Sequence, residues 1–141
     1  MTYTFITGEV PSQAELVELY TAVGWSAYTD QPENLIPMCQ GSLYLAVARE
    51  EHSGRLAGLV RAVGDGVSIS YIQDLLVHPD FQKKGVGAHL LDAALEAVGG
   101  VRQVYITTDT HASNQHVIDL YTGRGFKAVG DYGCVTLARF S

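Results

Sequence analysis

An α/β fold with a mixed, mostly antiparallel sheet and flanking helices is predicted by three features of this chain. Short runs with strand periodicity occupy its middle: LYLAVARE (43–50), LAGLVRAVG (56–64) and VSISYIQDLLV (67–77). They are joined by the turn-forming His52-Ser53-Gly54 and Asp65-Gly66, so they should form an antiparallel meander. A helix follows, with Val86, Leu90, Leu91, Ala94, Leu95 and Val98 at helical spacing. The β-branched run VRQVYITTD (101–109) comes next, and a strand-helix-strand crossover makes two strands of the sheet parallel.

Each element has a local cause. Residues 3 to 7 alternate weakly as a first strand. Pro11-Ser12 then opens a helix in which Ser12 and Glu15 have capping-box spacing, with Leu16, Leu19, Tyr20 and Val23 on one face and Gly24 as its stop. Trp25 to Tyr28 leads through Pro32 into a short helix near residues 32 to 39. Pro79 lacks an N–H and biases His78 toward extended geometry, so the third strand of the meander ends there. Gly99-Gly100 stops the long helix. Ser113-Asn114 begins a last helix carrying Val117, Leu120 and Tyr121, and FKAVGD (126–131) and CVTLARF (134–140) are read as two closing strands.

The 141 residues have the length of one ordinary domain, read as spanning 1–141. With 47% hydrophobic and 17% charged residues, the composition is that of a packed globule. A net charge of -6 argues against nucleic acid as a partner, which normally needs a positive face, and suits a cationic one better. Cys39 and Cys134 form no disulfide framework or zinc spacing, no two histidines form a helical metal pair, and no metal is expected. MTYTFITGEV lacks a basic segment followed by an apolar run, and no stretch approaches the roughly 18 apolar residues of a membrane span. The expectation is a soluble cytoplasmic protein without a membrane partner.

The segment Gln82-Lys83-Lys84-Gly85-Val86-Gly87-Ala88 joins a strand to a helix N-terminus. There, unpaired backbone N–H groups and the helix dipole favour an anion. Gly85 and Gly87 would let phosphate approach the backbone, with Lys83 and Lys84 as rim charges; a plain tight turn with solvated lysines is the alternative. The P-loop pattern is excluded because one residue separates the glycines and Ala88-His89 follows, and the dinucleotide fingerprint fails at Leu90.

This segment resembles the Gln/Arg-x-x-Gly-x-Gly/Ala signature of the GNAT superfamily of acetyl-CoA-dependent N-acetyltransferases. A second stretch, N-Q-H-V-I-D-L-Y-T-G-R-G-F from Asn114 to Phe126, resembles that family's Asn-x-x-Ala-x-x-Leu/Phe-Tyr-x-x-x-Gly-Phe pattern, with Val117 where Ala is commoner. The resemblance implies a single-domain GNAT-like fold with a central splayed parallel strand pair. It also implies acetyl-CoA as co-substrate, gripped through its pyrophosphate by backbone amides of Lys84 to Ala88, with Gln82 and Lys83 in the same loop. Leu76 and Val77 would pair with the pantetheine amides, and a bulge in their strand would free a backbone N–H near Val77 to polarise the thioester carbonyl. Asn114 would contact the pantetheine arm, against the alternative of an ordinary helix-start side chain.

Acetyl transfer to an amine also needs a proton for the departing thiolate and an uncharged acceptor. By its place in the motif Tyr121 is the proton donor, its alternative being a core aromatic. Asp74 interrupts an apolar strand and is placed on the acceptor side, as base or as a group that pairs with a cation or orients the acceptor. Asp109 and His111 are further candidates, for both of which an ordinary polar loop is the better explanation. Trp25, Tyr28 and Asp30 cluster between helices, where aromatics with a carboxylate can receive a cationic amine; the alternative for Trp25 is a core aromatic. The expected activity is direct acetyl transfer to a primary amine, on a small molecule in the first reading. A non-catalytic acyl-CoA-binding or regulatory module and a protein or peptide N-acetyltransferase stand as alternatives. C-terminal strands in such folds often meet across a dimer, so a homodimer is also open.

Overall fold

The computed structural model describes residues Met1–Ser141 throughout. They form two compact units, Met1–Thr107 and Thr108–Ser141.

The first unit is built on five strands in sequential order: β1 (Tyr3–Thr7), β2 (Tyr44–Glu50), β3 (Leu56–Gly64), β4 (Ile69–Val77) and β5 (Gln103–Ile106). The first four are antiparallel neighbours, and β5 joins β4 in parallel after the helix α4 (Val86–Val98). One face of the sheet is covered by α1 (Gln13–Ala22), α2 (Ser26–Thr29) and α3 (Leu35–Gln40). There Leu16, Leu19, Tyr20, Leu35 and Cys39 pack against Leu45, Val47, Leu56, Leu59 and Leu76. The other face carries α4, whose buried Val86, Leu90, Leu91, Ala94 and Val98 lie one side of the helix as their spacing predicts. Gly58 permits this approach, since a Cβ there would sit 3.0 Å from the Leu76 carbonyl oxygen and 3.1 Å from Leu90.

Local signals act where expected. The Ser12 hydroxyl accepts from the Glu15 N–H and the Glu15 carboxylate accepts from the Ser12 N–H, both at 3.1 Å, which starts α1. The Asp65 carboxylate accepts from the amides of Val67, Ser68 and Ile69, and Gly66 turns with φ +73°, which closes the β3–β4 hairpin. The helix expected near 32 to 39 divides into a 3-10 turn, Pro32–Asn34, and α3, and the four-residue α2 precedes it.

The second unit departs from expectation. Its helix, α5 (Gln115–Thr122), follows a 3-10 turn at Ala112–Asn114 as the sequence predicts. The two closing strands do not form: Val129–Tyr132 is a 3-10 turn, and residues 134–141 take no regular structure, with Val135, Leu137 and Phe140 exposed. The main-chain bonds here are local, from Asp131 to Ala128, Gly133 to Gly130 and Cys134 to Val129. A period-2 pattern becomes a strand only when a neighbouring ladder receives it, and this unit holds no strand to pair with.

Candidate active site

The site begins where β4 leaves β5. Their parallel ladder runs only from Ile69–Gln103 to Ile72–Ile106. At the same place the ladder to β3 slips by one residue, with Ala62 facing Ile72 but Arg61 facing Asp74, which makes Gln73 an extra, bulged residue. The bulge turns over the side chains beyond it. Before it, Ser70 points to α4 and donates to the Val98 carbonyl at 2.8 Å. After it, Val77 takes the α4 side beside Gly87, while Leu76 and Asp74 turn to the α1 side.

Main-chain alternation completes this edge. The His78 N–H donates to the Ala57 carbonyl at 2.8 Å, so in the antiparallel pattern the main-chain groups of Leu76 and Asp74 serve β3. Those of Leu75 and Val77 then point to the edge that β5 has vacated. Leu76, expected at the coenzyme, is a core residue 3% exposed, and Leu75 stands in its place at the open edge. The Gln82 amide donates to the Val77 carbonyl at 2.9 Å, tying the following loop to this edge.

That loop is held at both ends by the buried side chains of Phe81 and Val86, while Gln82, Lys83, Lys84 and Gly85 are exposed. Lys83 (φ 62°) is the chain's one non-glycine residue with positive φ, and Gly85 (φ 82°) is left-handed too. Such a conformation persists only where its surroundings determine it, and left-handed turns aim backbone amides into an anion-binding concavity. Gly85 is the N-cap of α4 and supplies no side-chain cap, so the dipole end and amides of the first turn face outward. A Cβ on Gly85 would meet nothing within 4 Å, and one on Gly87 would meet only the Val77 side chain at 3.5 Å.

On the α1 side, Asp74 is 2% exposed and fully engaged. Its Oδ2 accepts from Arg61 Nε at 2.5 Å and from the Tyr20 hydroxyl at 2.8 Å, and its Oδ1 accepts from the Tyr28 hydroxyl at 2.8 Å. Burial raises the phenol pKa of both tyrosines, and the Asp74 charge adds to it. Burial opposes the Arg61 charge, but the Asp74 carboxylate more than offsets this and holds its pKa above the ordinary value. Of the readings open for Asp74, pairing with a cation is the one this geometry matches: it is a shielded carboxylate already bonded to three donors. Gln73, exposed on the bulge, donates through Nε2 to the Tyr28 hydroxyl oxygen at 3.3 Å.

Among the other expected acceptor residues, Trp25 packs against this group at a tilt, its ring 5.9 Å from Tyr20 and 6.2 Å from Tyr28. Asp30 ends α2, exposed and outside the cluster. Sequence reading missed Arg61, Tyr20 and Gln73. The signal for Arg61 was available, as the lone charge of LAGLVRAVG across a hairpin from the lone charge of YIQDLLV.

Within the second unit, Asn114 Nδ2 donates to Thr108 Oγ1 at 2.8 Å and to the Asp109 carbonyl at 2.7 Å, bracing the loop before α5. Asp109 accepts from the His111 N–H, and His111 Nδ1 caps the 3-10 turn at Ser113, so both serve local structure. Tyr121 is buried on α5, edge-on to Phe126, and burial pushes its phenol pKa up to about 12.

A sequence model of the Acetyltransferase (GNAT) family matches residues 13–126, which take in the bulged strand, the loop and the Tyr121 helix. The chain belongs to the GNAT acetyltransferase family. An uncharacterized N-acetyltransferase, ycf52, from Porphyra purpurea is 29% identical over 112 residues, 79% of this chain and 63% of the relative. The chain therefore spans under two thirds of that relative's length. A GNAT-family acetyltransferase structure from Streptococcus pneumoniae TIGR4 is 29% identical with a TM-score of 0.82, over 99% of this chain and 98% of the other. An aminoglycoside acetyltransferase from an uncultured soil metagenomic sample, solved with sisomicin, shares the fold at 17% identity and TM-score 0.62, covering 99% and 94%. No helix of this GNAT protein is long and apolar enough to cross a membrane.

Proposed function

We propose that this GNAT protein transfers an acetyl group from acetyl-CoA to a primary amine on a small molecule, by direct transfer in a ternary complex. The observation that carries this reading is the continuity of the vacated β4 edge with the left-handed, uncapped loop at the start of α4. A pantetheine arm has amides to pair with an open strand edge, and a pyrophosphate suits outward backbone amides, so the residues present fit the coenzyme.

In this reading the amides of Lys84 to Ala88 hold the pyrophosphate, Gln82 and Lys83 shape the loop, and Lys83 and Lys84 add exposed charge. The open-edge groups of Leu75 and Val77 hold the arm, and an edge N–H near Val77 stabilises charge developing on the acyl oxygen. Bound acetyl-CoA supplies an activated acyl group. Tyr121 holds a proton at its phenol oxygen for the thiolate that departs, and Asn114 braces the loop ahead of its helix. Asp74, sealed behind Tyr28, sets the polarity of the acceptor side, and the amine reacts in its uncharged form. The soil enzyme of like fold that was solved with sisomicin, an amine-bearing small molecule, supports a small-molecule acceptor.

Calorimetric titration with acetyl-CoA, followed by mass spectrometry of amines incubated with both, tests the reading. Saturable binding and acceptors heavier by one acetyl group support it. Binding with no acylated product from amines, aminoglycosides or peptides would leave a coenzyme-binding module.

A further inference from the structure

The hydrogen bonds around Asp74 have a direction that ends at the surface. Arg61 has donors only and remains charged at any working pH, so it fixes Asp74 as a carboxylate that accepts. Because a carboxylate has no proton to give, the Tyr28 hydroxyl must spend its single proton on Oδ1. Its oxygen can then only accept from Gln73, which must present its NH2 group and turn Oε1 away. Gln73 is exposed on the bulge where β4 parts from β5, without a β3 partner in the ladder. The amide orientation of an exposed glutamine is normally free; here the bond to Tyr28, whose own proton is committed to Asp74, determines it.

We infer that Gln73 is the acceptor-orienting residue of this site, its Oε1 receiving an N–H of a primary amine. Tyr28 positions it by holding one of the two Nε2 protons, which leaves the carbonyl end leading outward and favours hydrogen-bond donors over carboxylates. The inference rests on the acetyltransferase reading and assigns its acceptor side to a side chain that reaches solvent, in place of a buried carboxylate that does not.

The test uses n-butylamine and butyrate, probes that present a donor and an acceptor, read by emission of Trp25. It is the chain's single tryptophan, with its ring 6.2 Å from that of Tyr28. The wild type should bind butylammonium saturably and favour it over butyrate. Gln73→Met, a change at an exposed residue, should raise the butylammonium Kd about tenfold, the worth of one hydrogen bond to a charged group. Tyr28→Phe frees the amide to turn either end outward. It should therefore gain butyrate affinity, lowering the amine-over-carboxylate ratio about tenfold, which a purely structural loss would not do. No saturable butylammonium response in the wild type, or an unchanged ratio in both variants, overturns the inference. Coenzyme A binding is measured by calorimetry on the same proteins. If all of them fail to bind it, the acetyltransferase reading falls and the Gln73 result stands on its own titration; if they bind it with selectivity unaltered, the inference alone falls.

Discussion

Replacing Gly85 by Asp and, separately, by Asn isolates the anion-binding role of the loop from its conformation. Gly85 is left-handed, and a Cβ added there points into open space, so neither side chain clashes with the protein. Asn and Asp are the side chains that best tolerate this conformation, and each should cost the fold a similar amount, about 1 kcal/mol. What differs is one negative charge at the mouth of α4. A carboxylate about 5 Å from a phosphate is repelled by about 1 kcal/mol in bulk water and about 3 kcal/mol at the effective dielectric of a protein surface. Gly85→Asp should therefore bind coenzyme A about 5- to 160-fold more weakly than Gly85→Asn, by calorimetry at low salt, with the gap narrowing as salt rises. Equal affinities for the two variants, or a gap indifferent to salt, would refute phosphate binding at this helix start.

Other outcomes follow from the same geometry. Tyr121→Phe should lower acyl transfer by about 100-fold or more while coenzyme affinity, read by calorimetry, holds, because the phenol gives a proton and no binding contact is assigned to it. Asp74→Ala leaves the Arg61 charge buried without its partner and should lower stability by about 3 to 5 kcal/mol in urea titration. Gly58→Ala should destabilise by about 1 to 3 kcal/mol, since its Cβ meets a backbone carbonyl at 3.0 Å that cannot move aside cheaply. The Glu15 carboxyl is held down at about 2 from 4.5, chiefly by its bond to Arg49. Its folded value lies below its unfolded one, so it stabilises the fold above about pH 4.5 and loses that effect as pH falls toward 2. Glu15→Gln should thus shift the urea midpoint at pH 7 and progressively less between those values.

Much of the fold was legible because its signals are local. Periodicity alone placed β2, β3, β4 and α4, and the Ser12–Glu15 and Asp65-Gly66 pairs placed a helix start and a hairpin. The C-terminal strands were misread because Val135 and Leu137 state which faces would alternate, not whether a neighbour offers a ladder. Asp74 shows the same limit at the site. Counting outward from the hairpin pairs Gly64 with Ser70 and would set Arg61 opposite Gln73; the bulge advances this by one and gives Arg61 to Asp74. The resemblance implied a bulge in this strand near Val77; it falls instead at Gln73, a position that no residue marks. It commits Asp74 to a cation, one of the readings left open for it, and it exposes the glutamine that sequence reading passed over.

The most direct test of acetyl transfer is free thiol release from acetyl-CoA across a panel of primary amines. The account predicts thiol appearing only with an acceptor present, saturating in acetyl-CoA, and falling sharply with Gly85→Asp and Tyr121→Phe. Saturable acetyl-CoA binding with no amine-dependent thiol from any member of the panel would contradict it.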